Sequence, residues 1–230
     1  MRRSGITART RRRLCLAVLP LLSLFPPFVH AASYTFYVEQ GTLTVNGAGG
    51  ATLNVWGYTT SPGAPPMIPG PKIEARENET VSVTVHNRRS QPHNFVVRGL
   101  TTDTGSIPAG GAKTYTFTPT KGGTYLYSDT LNSNINRAMG LYGAVVVRPA
   151  DGSKRTWTGG RTFNFERTWV VSDMDKPRWN DVASRGGTVN TSAYKPNYFL
   201  MNGQGGFDGM HDPNSVLEGR TGETGLVRIV

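Results

Sequence analysis

The stretch Gly123-Thr-Tyr-Leu-Tyr-Ser-Asp-Thr-Leu-Asn-Ser-Asn-Ile-Asn-Arg-Ala-Met-Gly-Leu-Tyr-Gly-Ala-Val-Val-Val-Arg-Pro149 decides the fold. Tyr125 and Tyr127 lie two apart and so share one face of a strand, the polar run Ser128 to Arg137 reads as a loop, and Val145, Val146 and Val147 form a returning strand. Outward from it, Val81-Ser-Val-Thr-Val85 alternates with the period of two that a half-buried strand requires, and so does Tyr115-Thr-Phe117. The chain holds 28 glycines and 15 prolines set among Val, Thr, Tyr and Phe runs, which favours short strands joined by turns. No long stretch repeats apolar residues at helical spacing, so the class is all-β. The alternation predicts a Greek-key β-sandwich over residues 33 to about 150, with Val81, Val83, Val85, Phe117, Leu126, Val145 and Val147 facing inward.

Residues 1–31 read as an export signal. Six arginines, Arg2 to Arg13, precede an apolar run from Leu14 to Val29, and Val29-His30-Ala31 offers the small residues a signal peptidase needs. Thr10-Arg11-Arg12-Arg13-Leu14 points further to the twin-arginine route, and so to a periplasmic or extracellular location. The apolar run is shorter than the roughly 20 residues a membrane span needs, so no span is expected in the mature form. Without those six arginines the formal charge falls from +10 to +4, with no basic run interleaved with aromatics, which argues against nucleic acid as a partner. The single cysteine, Cys15, lies inside the signal. The mature chain therefore has no disulfide and no thiolate to offer a metal.

Along the mature chain, Ser33 to Gln40 reads as a first strand, Thr42 to Val45 as a short partner, and Gly47 to Gly50 as the turn into a strand from Ala51 to Tyr58. The proline-rich segment Thr60 to Pro71 reads as a loop. Ile68-Pro-Gly-Pro-Lys-Ile73 leads into Arg76-Glu-Asn-Glu-Thr80, a corner where Asn78 tolerates a positive φ. With Ile107-Pro-Ala-Gly-Gly111 and the opening stretch, these motifs in this order resemble the first domain of multicopper oxidases and copper nitrite reductases. The resemblance runs from about Ile68 to Pro149 and implies a cupredoxin-like, plastocyanin-type sandwich, copper as cofactor by family, and oxidoreductase activity.

The same resemblance sets expectations for the metal. The histidines of the family's His-x-His-Gly and His-x-His motifs fall on Val96, Arg98, Ser128 and Thr130, none of which supplies an imidazole. Pro92-His93-Asn94 resembles the segment that supplies the first blue-copper ligand of nitrite reductases, which makes His93 the candidate metal residue. By the same resemblance the cysteine is replaced by Asp129 and the axial methionine by Leu141. Read as residues alone, His93, His86 and His211 are hydrogen-bonded or solvated side chains, Met139 and Met201 are core fillers, and Asp173 and Asp175 form a turn. No nucleophile motif or phosphate-binding loop is present.

Residues 151–195 read as a connecting strand, Arg161 to Asp175, followed by a linker from Trp179 to Tyr194. Residues 196–230 resemble the opening of a second such domain, an incomplete β unit that cannot close by itself and must pair with something outside itself. Two functions follow. In the first, the chain is the N-terminal portion of an exported multicopper-oxidase-like protein, itself copper-free and acting as scaffold, whose missing C-terminal oxidase domains carry the chemistry. In the second, it is a copper-free, non-enzymatic periplasmic structural or interaction protein of the same superfamily. The partners expected are those further domains or, in a homo-oligomer, a second copy of the chain.

Overall fold

The computed structural model describes Met1, residues 31–46 and residues 50–230. The export-signal reading and the tip of the Gly47–Gly50 turn lie outside the described residues. Thirteen strands follow one another among them. In the first part these are β1 (Ala31–Val45), β2 (Ala51–Thr59), β3 (Ile73–Arg76), β4 (Thr80–Asn87), β5 (Val96–Val97), β6 (Ala112–Phe117), β7 (Gly123–Ser128) and β8 (Tyr142–Arg148). In the second they are β9 (Phe165–Trp169), β10 (Val171–Met174), β11 (Tyr198–Met201), β12 (Gln204–Gly205) and β13 (Gly225–Ile229).

The first eight form two four-stranded sheets, in the orders β2-β1-β4-β6 and β3-β8-β7-β5. Their inner faces meet in one core built from Phe36, Tyr58, Val81, Val83, Val85, Tyr115 and Phe117 on one side and Ile73, Val97, Tyr127, Val145 and Val147 on the other. Six of the seven residues predicted to face inward do so. Leu126 does not: it sits between Tyr125 and Tyr127, so the pleat turns it outward, where it packs on a second cluster formed by Tyr142, Ala144, Val170, Met174 and Leu200. That outer cluster also explains why β8 reads as an unbroken apolar run, since a strand covered on both faces has no solvent side to leave polar.

Two further readings are corrected. β1 is one continuous strand through Gly41, and the hairpin to β2 pairs Val45 with Ala51. Gly41 breaks nothing; a Cβ there would lie 2.7 Å from the Pro66 ring, so the glycine allows the proline-rich loop to cross close over the strand. The segment read as a linker contains a π-helical turn (Lys176–Asn180) and helix α1 (Asp181–Ser184), and its Trp179 and Ala183 are buried in the main core. Asn78 has φ 64°, as its corner requires.

Residues 165–230 cover the outer face of the β3-β8-β7-β5 sheet. β13 runs parallel to β9, and β10, β11 and β12 form an antiparallel sheet of their own. The terminal strands thus pair with residues 165–174, the strand leaving the sandwich. Arg228, 5% exposed, ties them down: its Nε donates to Glu166 Oε2 at 3.1 Å and its Nη1 to Thr124 Oγ1 of β7 at 3.4 Å. Arg148 of β8 reaches Glu166 Oε1 at 2.5 Å. Burial pushes the Glu166 carboxyl up, but hydrogen bonds and charge from Arg148 and Arg228 together outweigh it and hold it below its ordinary value of 4.5. A depressed carboxyl stabilises the fold above its unfolded pKa and loses that contribution as pH falls through the folded one. Protection of the Leu226–Ile229 amides, measured against their intrinsic exchange rates, is therefore expected to fall selectively as the pH drops below about 4.5, ahead of β4 and β8, and to lose this acid dependence in Glu166→Gln.

Candidate functional site

His93 lies at the end of the sandwich where the chain passes between the two sheets. Asn87, the last residue of β4 and 1% exposed, sets its approach. The Asn87 side-chain amide donates to the carbonyls of Gln91 (2.7 Å), Pro108 (3.1 Å) and Ile107 (3.2 Å), and its oxygen accepts from Arg89 N at 3.0 Å. One buried amide thus holds the loop before His93 against the turn before β6. His93 then exchanges backbone hydrogen bonds with Ile107, at 3.1 and 2.6 Å. Next to it, Asn94 accepts from Thr130 N at 2.8 Å and donates to Thr130 Oγ1 at 3.0 Å, joining this loop to the one after β7.

Asp129 sits in that second loop, its N–H donating to Leu141 O at 3.0 Å. Both side chains, His93 and Asp129, are fully buried, and His93 Nδ1 donates to Asp129 Oδ2 across 2.6 Å. Oδ2 also accepts from Asn136 Nδ2 at 3.0 Å, while Oδ1 accepts from Leu131 N at 2.9 Å. The surroundings are apolar: Ile135, Met139 and Leu141 are buried in the same core, and Trp56 meets the His93 ring edge-on at 6.3 Å between centroids. His93 Nε2 has no hydrogen-bond partner among the described residues.

Copper does not fit this donor set. A blue-copper centre needs a thiolate with two imidazoles and a weak axial ligand. Here one imidazole faces a carboxylate whose two oxygens are already taken by three donors, and the neighbours at 139 and 141 are a thioether and a hydrocarbon. No group of three or more His, Cys, Asp or Glu side chains converges among the described residues. At the other motif positions, Val96 and Ser128 stand directly opposite each other on β5 and β7, so the scaffold brings these places together, but with a methyl pair and a hydroxyl. Arg98 and Thr130 are exposed.

Apart from Met139, which belongs to the apolar surroundings of the pair, the remaining candidates lie elsewhere. His86 stacks on Tyr37 at 4.9 Å, and His211 stacks on exposed Phe207 in helix α2 (Gly206–His211). Met139 is fully buried in the core, and Met201 is half-buried in β11. Asp173 belongs to β10, and Asp175 caps the π-helical turn, accepting from Arg178 Nε at 2.7 Å and Lys195 N at 2.8 Å. Sequence reasoning missed Asn87 and Asn136, which carry no motif; the asparagine closing an apolar strand was the one available signal for the first.

Comparison with known proteins agrees with this architecture. The multicopper oxidase family matches residues 32–152, more than half of the chain. No curated protein sequence matches it significantly. Among solved structures, the chain resembles a copper nitrite reductase from Nitrosomonas europaea at 20% identity and a TM-score of 0.64, over 86% of this chain and 67% of that one. It resembles a blue copper oxidase from the same organism at 18% identity and a TM-score of 0.60, over 76% of this chain and 54% of that one. A multicopper oxidase from Campylobacter jejuni, described as a metallo-oxidase, aligns at 20% identity and a TM-score of 0.55, over 83% of this chain and 40% of that one. The chain thus spans about half the length of such oxidases, and at these identities the likeness to them is one of fold, that of the cupredoxins. By the match over residues 32–152, the chain belongs to the multicopper oxidase family.

Proposed function

We propose that this chain is the N-terminal portion of an exported multicopper-oxidase-like protein in which the cupredoxin unit carries no copper and serves as scaffold. The observation that supports this is the His93–Asp129 pair: at the place where the fold family holds metal, both Asp129 oxygens and His93 Nδ1 are taken up by protein groups that join two loops, and only His93 Nε2 lacks a partner among the described residues. Oxidase chemistry then belongs to further domains, and this portion by itself oxidises neither phenols nor metal ions. No helix among the described residues is long and apolar enough to cross a membrane. The second reading, a non-enzymatic interaction protein, draws support from the apolar residues the second unit leaves exposed, Phe199, Phe207, Met210 and Ile229. Further domains would cover these residues in the first reading and a partner in the second. A reading frame continuing beyond Val230 with His-x-His and His-Cys-His motifs would decide for the first.

The copper-free reading is tested by loading the purified chain with Cu(II), dialysing, and measuring bound metal and the visible spectrum. No stoichiometric copper and no thiolate-to-copper band are expected; copper that survives dialysis and is lost in His93→Ala would overturn the reading. The scaffold role is tested by Asp129→Ala, which strands the His93 imidazole, the Asn136 amide and the Leu131 N–H. A loss of about 2–5 kcal/mol of unfolding free energy is expected from urea titration, and a loss under about 0.5 kcal/mol would show that the pair does not hold the loops.

A further inference from the structure

Beside the buried pair, a cleft of about 820 Å³ opens between the loop before His93, the turn Leu131–Asn136 and the segment Ala183–Thr191. Arg89 is the one charged residue that lines it. Its guanidinium carbon lies 4.0 Å from the centre of the Trp56 ring, and its Nη1 donates to the neutral Gln40 Oε1 at 2.7 Å. No carboxylate reaches it among the described residues, and its Nε has no hydrogen-bond partner there. The nearby acids are engaged elsewhere: Glu39 by Arg88 at 2.5 Å, and Asp181 by Lys176 at 2.8 Å. Trp56 also lines the cleft. It is 5% exposed, and its indole Nε1 has no partner among the described residues.

These features are costly unless something answers them. Burial alone lowers the Arg89 pKa to about 10, the mark of a cation held without a counter-charge. Buried donors without partners are uncommon in native proteins, and each costs about 1–3 kcal/mol. On the opposite rim, Asn132 and Ser133 are held at φ 55° and 50°, with Asn134 following at 64°. Asn132 and Asn134 accept the left-handed region readily, so Ser133 alone sits there at some cost. Leu131, Ile135 and Val189 give the wall an apolar strip, set among polar neighbours such as Gln91, Asn136, Ser184 and Thr191. The size of the cleft falls within the range of small-molecule sites, about 300–1,000 Å³.

We propose that this cleft binds a small organic carboxylate, with the acid on Arg89 and the hydrocarbon body against Leu131, Ile135 and Val189. A planar carboxylate matches the guanidinium fork, and an oxygen placed there supplies the missing counter-charge. A purely inorganic anion would satisfy the guanidinium and leave the strip of Leu131, Ile135 and Val189 uncovered. The proposal does not depend on whether copper binds near His93, since none of these residues is a candidate ligand.

Calorimetric titration of the purified chain at low salt tests it, with benzoate, the neutral isostere benzamide and inorganic phosphate as probes. Benzoate is expected to bind one-to-one with a dissociation constant on the order of 100 µM, and benzamide and phosphate about tenfold or more weaker. Arg89→Gln is expected to weaken benzoate about tenfold. Because that change also removes a group stacked on Trp56, Thr188→Glu, at an exposed rim position, serves as the second variant: it adds a repelling charge and should weaken benzoate severalfold with the melting temperature unchanged. Absence of benzoate binding, binding indifferent to both substitutions, or phosphate binding as tightly as benzoate would each overturn the proposal.

Discussion

A 2.6 Å hydrogen bond between two fully buried side chains, His93 and Asp129, is the constraint around which the end of this sandwich is arranged. Its partners come from two loops, His93 from the one that crosses from β4 to β5 and Asp129 from the one that follows β7. In so apolar a place a buried carboxylate is tolerable only if its oxygens are satisfied. That requirement explains the neighbours: the Leu131 amide and the Asn136 side chain complete Asp129, and Asn87 fixes the backbone that delivers His93. Replacing such a network with a metal would require freeing the carboxylate from three donors at once. The same polar groups cannot serve both ends well.

Much of this was legible in the sequence because two-residue periodicity is a direct consequence of burying one face of a strand. Val81, Val83 and Val85 point where alternation sends them, and the Asn78 corner has the backbone its residue type allows. Leu126 shows the limit of that reasoning. Alternation with Tyr125 and Tyr127 already required it to face outward, but only the second unit packing there makes that an apolar environment. The run Val145–Val147 is ambiguous for the same reason, as a strand buried on both faces loses its period. Gly41 and Trp179 illustrate a different gap, because a glycine inside a strand and a tryptophan after a proline look like a break and a linker until the distant Pro66 and the core are brought to them.

The candidate site was readable in part. Two of the motif positions that the resemblance assigns, Val96 and Ser128, face each other across two strands. What the sequence could not convey was that Asp129 takes up the imidazole directly, or that Asn136, seven residues further on, closes the network. Side chains that act through geometry rather than through a spacing leave no pattern to find. The second unit follows the same rule: Glu166 and Arg228 are 62 residues apart, and their ion pair becomes visible only once β13 lies beside β9.

The central claim is that His93 belongs to the fold and not to a metal, and the most direct measurement is of its own ring. Nitrogen-resolved NMR of the imidazole should show a proton on Nδ1 that exchanges slowly, as a fully buried hydrogen bond to Asp129 demands, and that stays unchanged when one equivalent of Cu(II) is added. Selective broadening of the His93 ring signals by that one equivalent, while signals from the opposite end of the sandwich stay sharp, would contradict the account.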